Sequence, residues 1–174
     1  MKLSAKLICY HLQKSFPLHT SRLDTFPTLS CPSCFEKSMP LQDGRVYLIT
    51  DPDFQPTFHH PKNILFLMIG KAYQNYELSQ PNMCIIPEDL PVNTVFNKLQ
   101  DIFILYDQWN QSLMESRLRN ASIQELLDLT TSIIPNPMML IGMDFTIIAS
   151  RGWDLGDLSN SVLGSSENSW DIVD

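Results

Sequence analysis

The sequence predicts an α/β protein, and three observations carry that prediction. The first is a set of apolar runs, RVYLIT (Arg45–Thr50), NILFLMIG (Asn63–Gly70) and MCIIP (Met83–Pro87). The middle run does not alternate with polar residues, so both of its faces must be covered, as in a parallel sheet between two layers. The second is the spacing of about 12 residues between runs, the lower limit for a parallel crossover. The third is an amphipathic helix of about 25 residues that follows, longer than most globular helices. These features give a small, mostly parallel three-stranded sheet with flanking helices and a long linking helix. Antiparallel pairing stays open at this level.

The elements follow in order. KLSAKLICYHL sets Leu3, Leu7, Ile8, His11 and Leu12 on one face at helical spacing. That predicts a helix from about Ser4 to Lys14, ended by the Phe16–Pro17 step. Residues 17–44 contain Pro17, Pro27, Pro32 and Pro40 and no sustained period, which reads as loop with one short strand or turn. Between the apolar runs, DPDFQPTFHHPK has too many prolines for a full helix, whereas KAYQNYELSQPN has room for a short one. Glu88 and Asp89 favour a helix start through the macrodipole, and Pro91 suits a first turn. Val92, Val95, Phe96, Leu99, Ile102, Phe103, Tyr106, Trp109 and Leu113 then recur at three- and four-residue steps, and Asn120 is a stop residue. The half of this stripe from Tyr106 to Leu118 is expected to project past the sheet.

Ser122 and Glu125 fit a capping box opening a second helix, whose buried face is expected to be Ile123, Leu126, Leu127, Thr130 and Ile133. Pro135 and Pro137 end it. MMLIG and FTIIAS, separated by Met143–Asp144, read as a hairpin, and the segment from Arg151 onward predicts no complete element. A helix and one hairpin cannot close a core, so the chain is expected to stop inside a second domain. The expected division is a sensing domain at 1–90, a linking helix at 91–119 and the start of a second module at 120–174.

Charge and composition exclude some function classes. The net charge is −7, from 12 basic and 19 acidic residues, and the local basic group is Arg117 with Arg119. Nucleic-acid binding by this segment is not expected, because neutralising phosphates takes clustered Lys and Arg. No apolar run approaches the ~20 residues of a membrane span. Lys6 and His11 interrupt the N-terminal apolar run, and no cleavage pattern follows it. A cytoplasmic protein with its cysteines reduced is the expectation.

Chemistry-bearing motifs are sparse. Cys31-Pro-Ser-Cys34 is a CxxC pair, the pattern of redox thiols and of half a zinc site. A redox pair sits at a helix start after a strand, and TFPTLS is a weak strand. Zinc would require two more ligands, for which His59, His60 and Cys84 are the candidates. Adjacent histidines point apart, so Cys31 and Cys34 are read as loop residues, with the metal or thiol site kept as an alternative. His11 reads as a packed histidine, and Glu88–Asp89 as helix-start carboxylates. Phosphate-binding glycine motifs and a nucleophile elbow are missing from the sequence. No enzyme activity and no cofactor are expected.

Two stretches, FNKLQDIFILYDQWNQSL and IQELLDLTTSIIPNPMMLIGMDFTIIAS, resemble the N-terminal part of PucR-type transcription regulators of bacteria. The matching residues are Phe96, Asn97, Gln100, Phe103, Tyr106, Trp109 and Leu113, then Leu126, Leu127, Asn136, Pro137, Asp144, Phe145 and Ala149. The resemblance covers roughly residues 44–150. It implies an α/β sensing domain, a linking helix, a PAS- or GAF-like module and, beyond this chain, a helix-turn-helix that contacts DNA. The implied partners are a small-molecule effector and a second copy in a homodimer. In a parallel sheet, ligands gather at the carboxyl ends of the strands. Those ends are Thr50–Asp51, Gly70 and Glu88, which makes Thr50, Gly70 and Glu88 the candidate ligand-binding residues.

Overall fold

The computed structural model describes residues 1–51, 54, 63–73, 78 and 81–152. The chain divides into two units, Met1–Asp107 and Gln108–Asp174. The division falls inside the long helix rather than at either of its ends.

Unit one is a mixed α/β unit around a mostly parallel sheet. Its strands are β1 (His19–Thr20), β2 (Cys31–Cys34), β3 (Arg45–Ile49), β4 (Ile64–Ile69) and β5 (Met83–Ile86). They lie in the order β1-β5-β4-β3-β2. Neighbours from β2 to β5 are parallel, and β1 runs antiparallel to β5. The sheet therefore has five strands where the apolar runs predict three. The two extra strands are its edges, short and drawn from the proline-rich segment that reads as loop. An edge strand has one neighbour and little apolar content, so neither period nor hydrophobicity marks it.

β4 is the centre. All six of its side chains are buried, so it requires cover on both faces, and the topology supplies it. From β2 to β5 each strand is laid beside its predecessor in one direction. Right-handed crossovers between strands placed this way must all pass over the same face. Tyr47, Ile49, Ile64, Phe66, Met68, Met83 and Ile85 form that face, and the connections bring Phe35, Leu41, Phe54, Tyr73 and Leu78 onto it. Edge-to-face ring pairs such as Phe35–Phe54, with centroids 4.8 Å apart, fill the layer.

The other face carries Val46, Leu48, Leu65, Leu67, Ile69, Cys84 and Ile86, which alternate in register with the first set. Helices cover this side. α1 (Ala5–Leu12) buries Ala5, Ile8, Cys9 and Leu12, and the buried thiols of Cys9 and Cys84 are neighbours. The Ser4 hydroxyl accepts the Leu7 N–H at 3.2 Å, capping the helix one residue inside the predicted start. α2 (Val92–Leu118) is one continuous helix of 27 residues. In unit one it buries Val95, Leu99, Ile102, Phe103 and Tyr106, five of the stripe residues. His11 of α1 meets Tyr106 of α2, so the histidine is packed.

At the end where the strands begin, Asn82 is buried with φ +56°. It accepts the Asp24 N–H at 2.8 Å, and its amide donates to the Asp24 carboxylate at 2.6 Å. This pair ties the segment after β1 to β5. Gly44 has φ +74°, and a Cβ there would lie 3.1 Å from the Thr28 carbonyl oxygen, so this turn before β3 fits glycine alone.

Unit two contains the end of α2, then α3 (Ile123–Leu129), a 3₁₀ turn at Thr130–Ser132, and the antiparallel pair β6 (Met138–Ile141) and β7 (Ile147–Arg151). The capping box is present: Ser122 Oγ accepts the Glu125 N–H, and the Glu125 carboxylate accepts the Ser122 N–H at 2.8 Å. The expected buried face of α3 is corrected: none of its residues is buried, since a single hairpin offers too little surface to cover it. The Arg151 guanidinium donates to the carbonyl oxygens of Ile134 and Asn136, holding the segment between α3 and β6 to β7.

Leu67 has no exposed surface and sits mid-strand in β4. Leu67→Ala is expected to lower the stability of unit one by about 2–5 kcal/mol, read from urea unfolding. Ser122→Ala removes one arm of the capping box and is expected to cost about 1 kcal/mol in the same measurement.

Candidate functional site

The carboxyl ends of the parallel strands bring Thr50, Gly70 and Glu88 to one edge of the sheet, since β3, β4 and β5 run side by side in the same direction. Thr50 and Glu88 are exposed and Gly70 is buried. Beyond β4 the chain turns at Lys71–Tyr73 onto the aromatic face. Past β5 it passes to α2 on the helical face. Neighbouring strands whose connections leave toward opposite faces open a crevice between their ends, and α/β sheets bind ligands at such points. Here the change of side follows β5, and Gly70 and Glu88 lie just past the ends of β4 and β5.

Gly70 has φ +129°, and a Cβ on it would sit 3.4 Å from Asp89 Oδ1. The same oxygen accepts the Lys71 N–H at 2.9 Å, and Asp89 Oδ2 lies 3.6 Å from the Lys71 ammonium. This side chain therefore does something other than start α2, whose first turn carries no acidic residue. It fastens the segment leading into α2 to the end of β4. The periodic pattern gave no hint of that, because a carboxylate shortly before a helix reads as a dipole partner. Beside it, the Tyr73 hydroxyl donates to the Asp51 carbonyl oxygen, and the Asp51 carboxylate pairs with Lys37 at 2.8 Å. Asp51, Tyr73 and Asp89 thus join the predicted three at this edge.

The CxxC pair lies in β2 rather than in a loop. Alternation in a strand puts Cys31 and Cys34 on opposite faces, with Cα atoms about 10 Å apart. A disulfide holds its Cα atoms within about 7 Å, and a shared ion requires both thiols on one side. Cys31 is instead met by the Arg45 guanidinium, whose Nη1 is 2.7 Å from the sulfur and 3.3 Å from Ser33 Oγ. Cys34 is exposed, and Cys84 is buried against Cys9, which with burial pushes the Cys84 thiol well up from its ordinary range. His59 and His60 lie outside the described residues. Among the described residues, no group of three His, Cys, Asp or Glu is placed to hold a metal ion, and no helix is long and apolar enough to cross a membrane.

A shallow depression of about 270 Å³ lies elsewhere, lined by Ser4, Lys6, Leu7, Tyr10 and Thr25. The Lys6 N–H donates to the Asp24 carbonyl oxygen, next to Asn82, so the depression is at the end where strands begin. It is open and its lining is largely apolar.

Gly70→Ala puts an L side chain into a conformation that glycine alone adopts readily. The variant is expected to lose about 1–3 kcal/mol, seen as a lower melting temperature. Compared with known proteins, the chain matches no family model, no curated protein and no solved structure.

Proposed function

We propose that this chain is the ligand-sensing, non-catalytic part of a one-component transcription regulator of the PucR type. A small-molecule effector binds at the strand ends beside Thr50, Gly70 and Glu88. The single observation that carries this reading is the joint between strand ends and helix: Asp89 grips the chain just past β4 at Lys71, three residues before α2 begins. An effector that binds better to one position of that joint than to another shifts the population of α2 positions. α2 continues without a break from unit one into unit two, and in this reading it carries the change. In this reading unit two is the beginning of a PAS- or GAF-like module, the protein is a cytoplasmic homodimer, and DNA is contacted by a helix-turn-helix outside this chain.

A second reading, a dimerisation or scaffold module without an effector, draws on unit two. Met143 and Phe145 at the hairpin turn are 103% and 74% exposed, and Leu140, Ile141, Ile147 and Ile148 are exposed as well. Apolar surface of this kind marks contact sites.

The two readings separate in a thermal-shift screen of small metabolites, with light scattering in parallel. The sensing reading expects hits whose shift disappears in Thr50→Ala and Glu88→Ala. Hits that keep their full shift in both variants put the site elsewhere, and a dimer that answers to no metabolite favours the scaffold.

A further inference from the structure

α1 and α2 meet at a histidine. His11 Nε2 lies 2.9 Å from the Tyr106 hydroxyl, and the two rings stand edge to face with centroids 5.5 Å apart. Tyr10 makes a second edge-on contact with His11 at 5.4 Å. Tyr106 is 3% exposed and His11 is half-buried. The charged groups acting on the imidazole are cationic: Lys14 from α1 and Lys98 from α2. Lys14 also lies over the Tyr10 ring, 4.5 Å from its centroid. The nearby acidic side chain next to Tyr106, Asp107, is engaged by the Met1 amine.

This surrounding favours an uncharged ring. Neutral imidazole in its Nδ1–H tautomer accepts the Tyr106 O–H at Nε2. Protonation turns both ring nitrogens into donors, so that acceptor is lost. It also adds a positive charge between two ammonium groups in a partly desolvated site. We propose that protonation of His11 loosens α1 from α2, so that the α1–α2 pairing is a proton-sensitive joint. The inference goes beyond effector sensing and requires no ligand.

Burial first, then Lys14 and Lys98, hold the His11 pKa below its ordinary value of 6.5. The paired state therefore binds fewer protons than the separated state. Pairing is at full strength above pH 6.5 and weakens as the pH falls through that value toward the lowered one.

The test uses the full chain. Ring-nitrogen NMR follows His11, and hydrogen exchange, corrected for the intrinsic pH dependence of the chemistry, follows the α1 amides. His11 is expected to titrate below 6.5. α1 opening is expected to rise between about pH 7.5 and about pH 5, by no more than roughly tenfold per pH unit, the limit for one proton. In His11→Gln, neutral throughout, the rise should vanish. Lys98→Gln should move the His11 titration to higher pH, toward 6.5, and make the rise smaller, a result that a merely structural histidine would not give. The same rise in His11→Gln, or a His11 titration at or above 6.5 in the unaltered chain, overturns the proposal. If His11→Gln does not fold, Lys98→Gln decides: a titration moved toward 6.5 with an undiminished rise counts against it.

Discussion

Burial of β4 on both sides is the constraint from which the rest of unit one follows. Six consecutive apolar side chains, Ile64 to Ile69, leave water together, and each large one contributes about 1.5–3 kcal/mol. A strand of this kind is stable only between two layers. One layer is made by the crossovers, which share a face because the strands are laid down in one direction. Helices make the other, since α1 comes before the parallel strands and α2 after them. The chain changes sides only after β5, where it passes to α2.

What was legible in the sequence was what burial writes into it. β3, β4 and β5 were visible as apolar runs, and α2 as a stripe of Val95, Leu99, Ile102, Phe103 and Tyr106. Ser122 with Glu125 announced α3 because a cap is a local interaction between residues three apart. Features that depend on distant partners were hidden. β1 has two residues, and its pairing with β5 rests on Ser21, Arg22 and Asp24 finding Met83 and Asn82 across the sheet. β2 is held by the ladder to β3 although its sequence, CPSC, contains a proline and two thiols. Thr50, Gly70 and Glu88 followed from a general rule about strand ends. Asp89 and Tyr73 did not, because their roles exist only once β3, β4 and β5 lie side by side.

Unit two obeys a different balance. Its described elements are locally specified, with a capping box, a hairpin and an Asp144–Thr146 turn in which hydrogen bonds from Thr146 lower the Asp144 carboxyl pKa. Its apolar side chains nevertheless remain largely at the surface. Phe145 even takes φ +61° in the hairpin turn, a conformation that side chains of its size adopt only when something enforces it. Among its described residues, local order comes with little buried apolar surface, in contrast to the two-sided packing around β4.

Because the crossovers share one face, the aromatic layer and the helical layer are separate pieces of chain joined through the sheet. Insertions or substitutions in the connections after β2, β3 and β4 reshape the aromatic side and the rim around Gly70 while α1 and α2 keep their seats. Such a plan lets the loop side vary in sequence without disturbing how the helices pack on the opposite face.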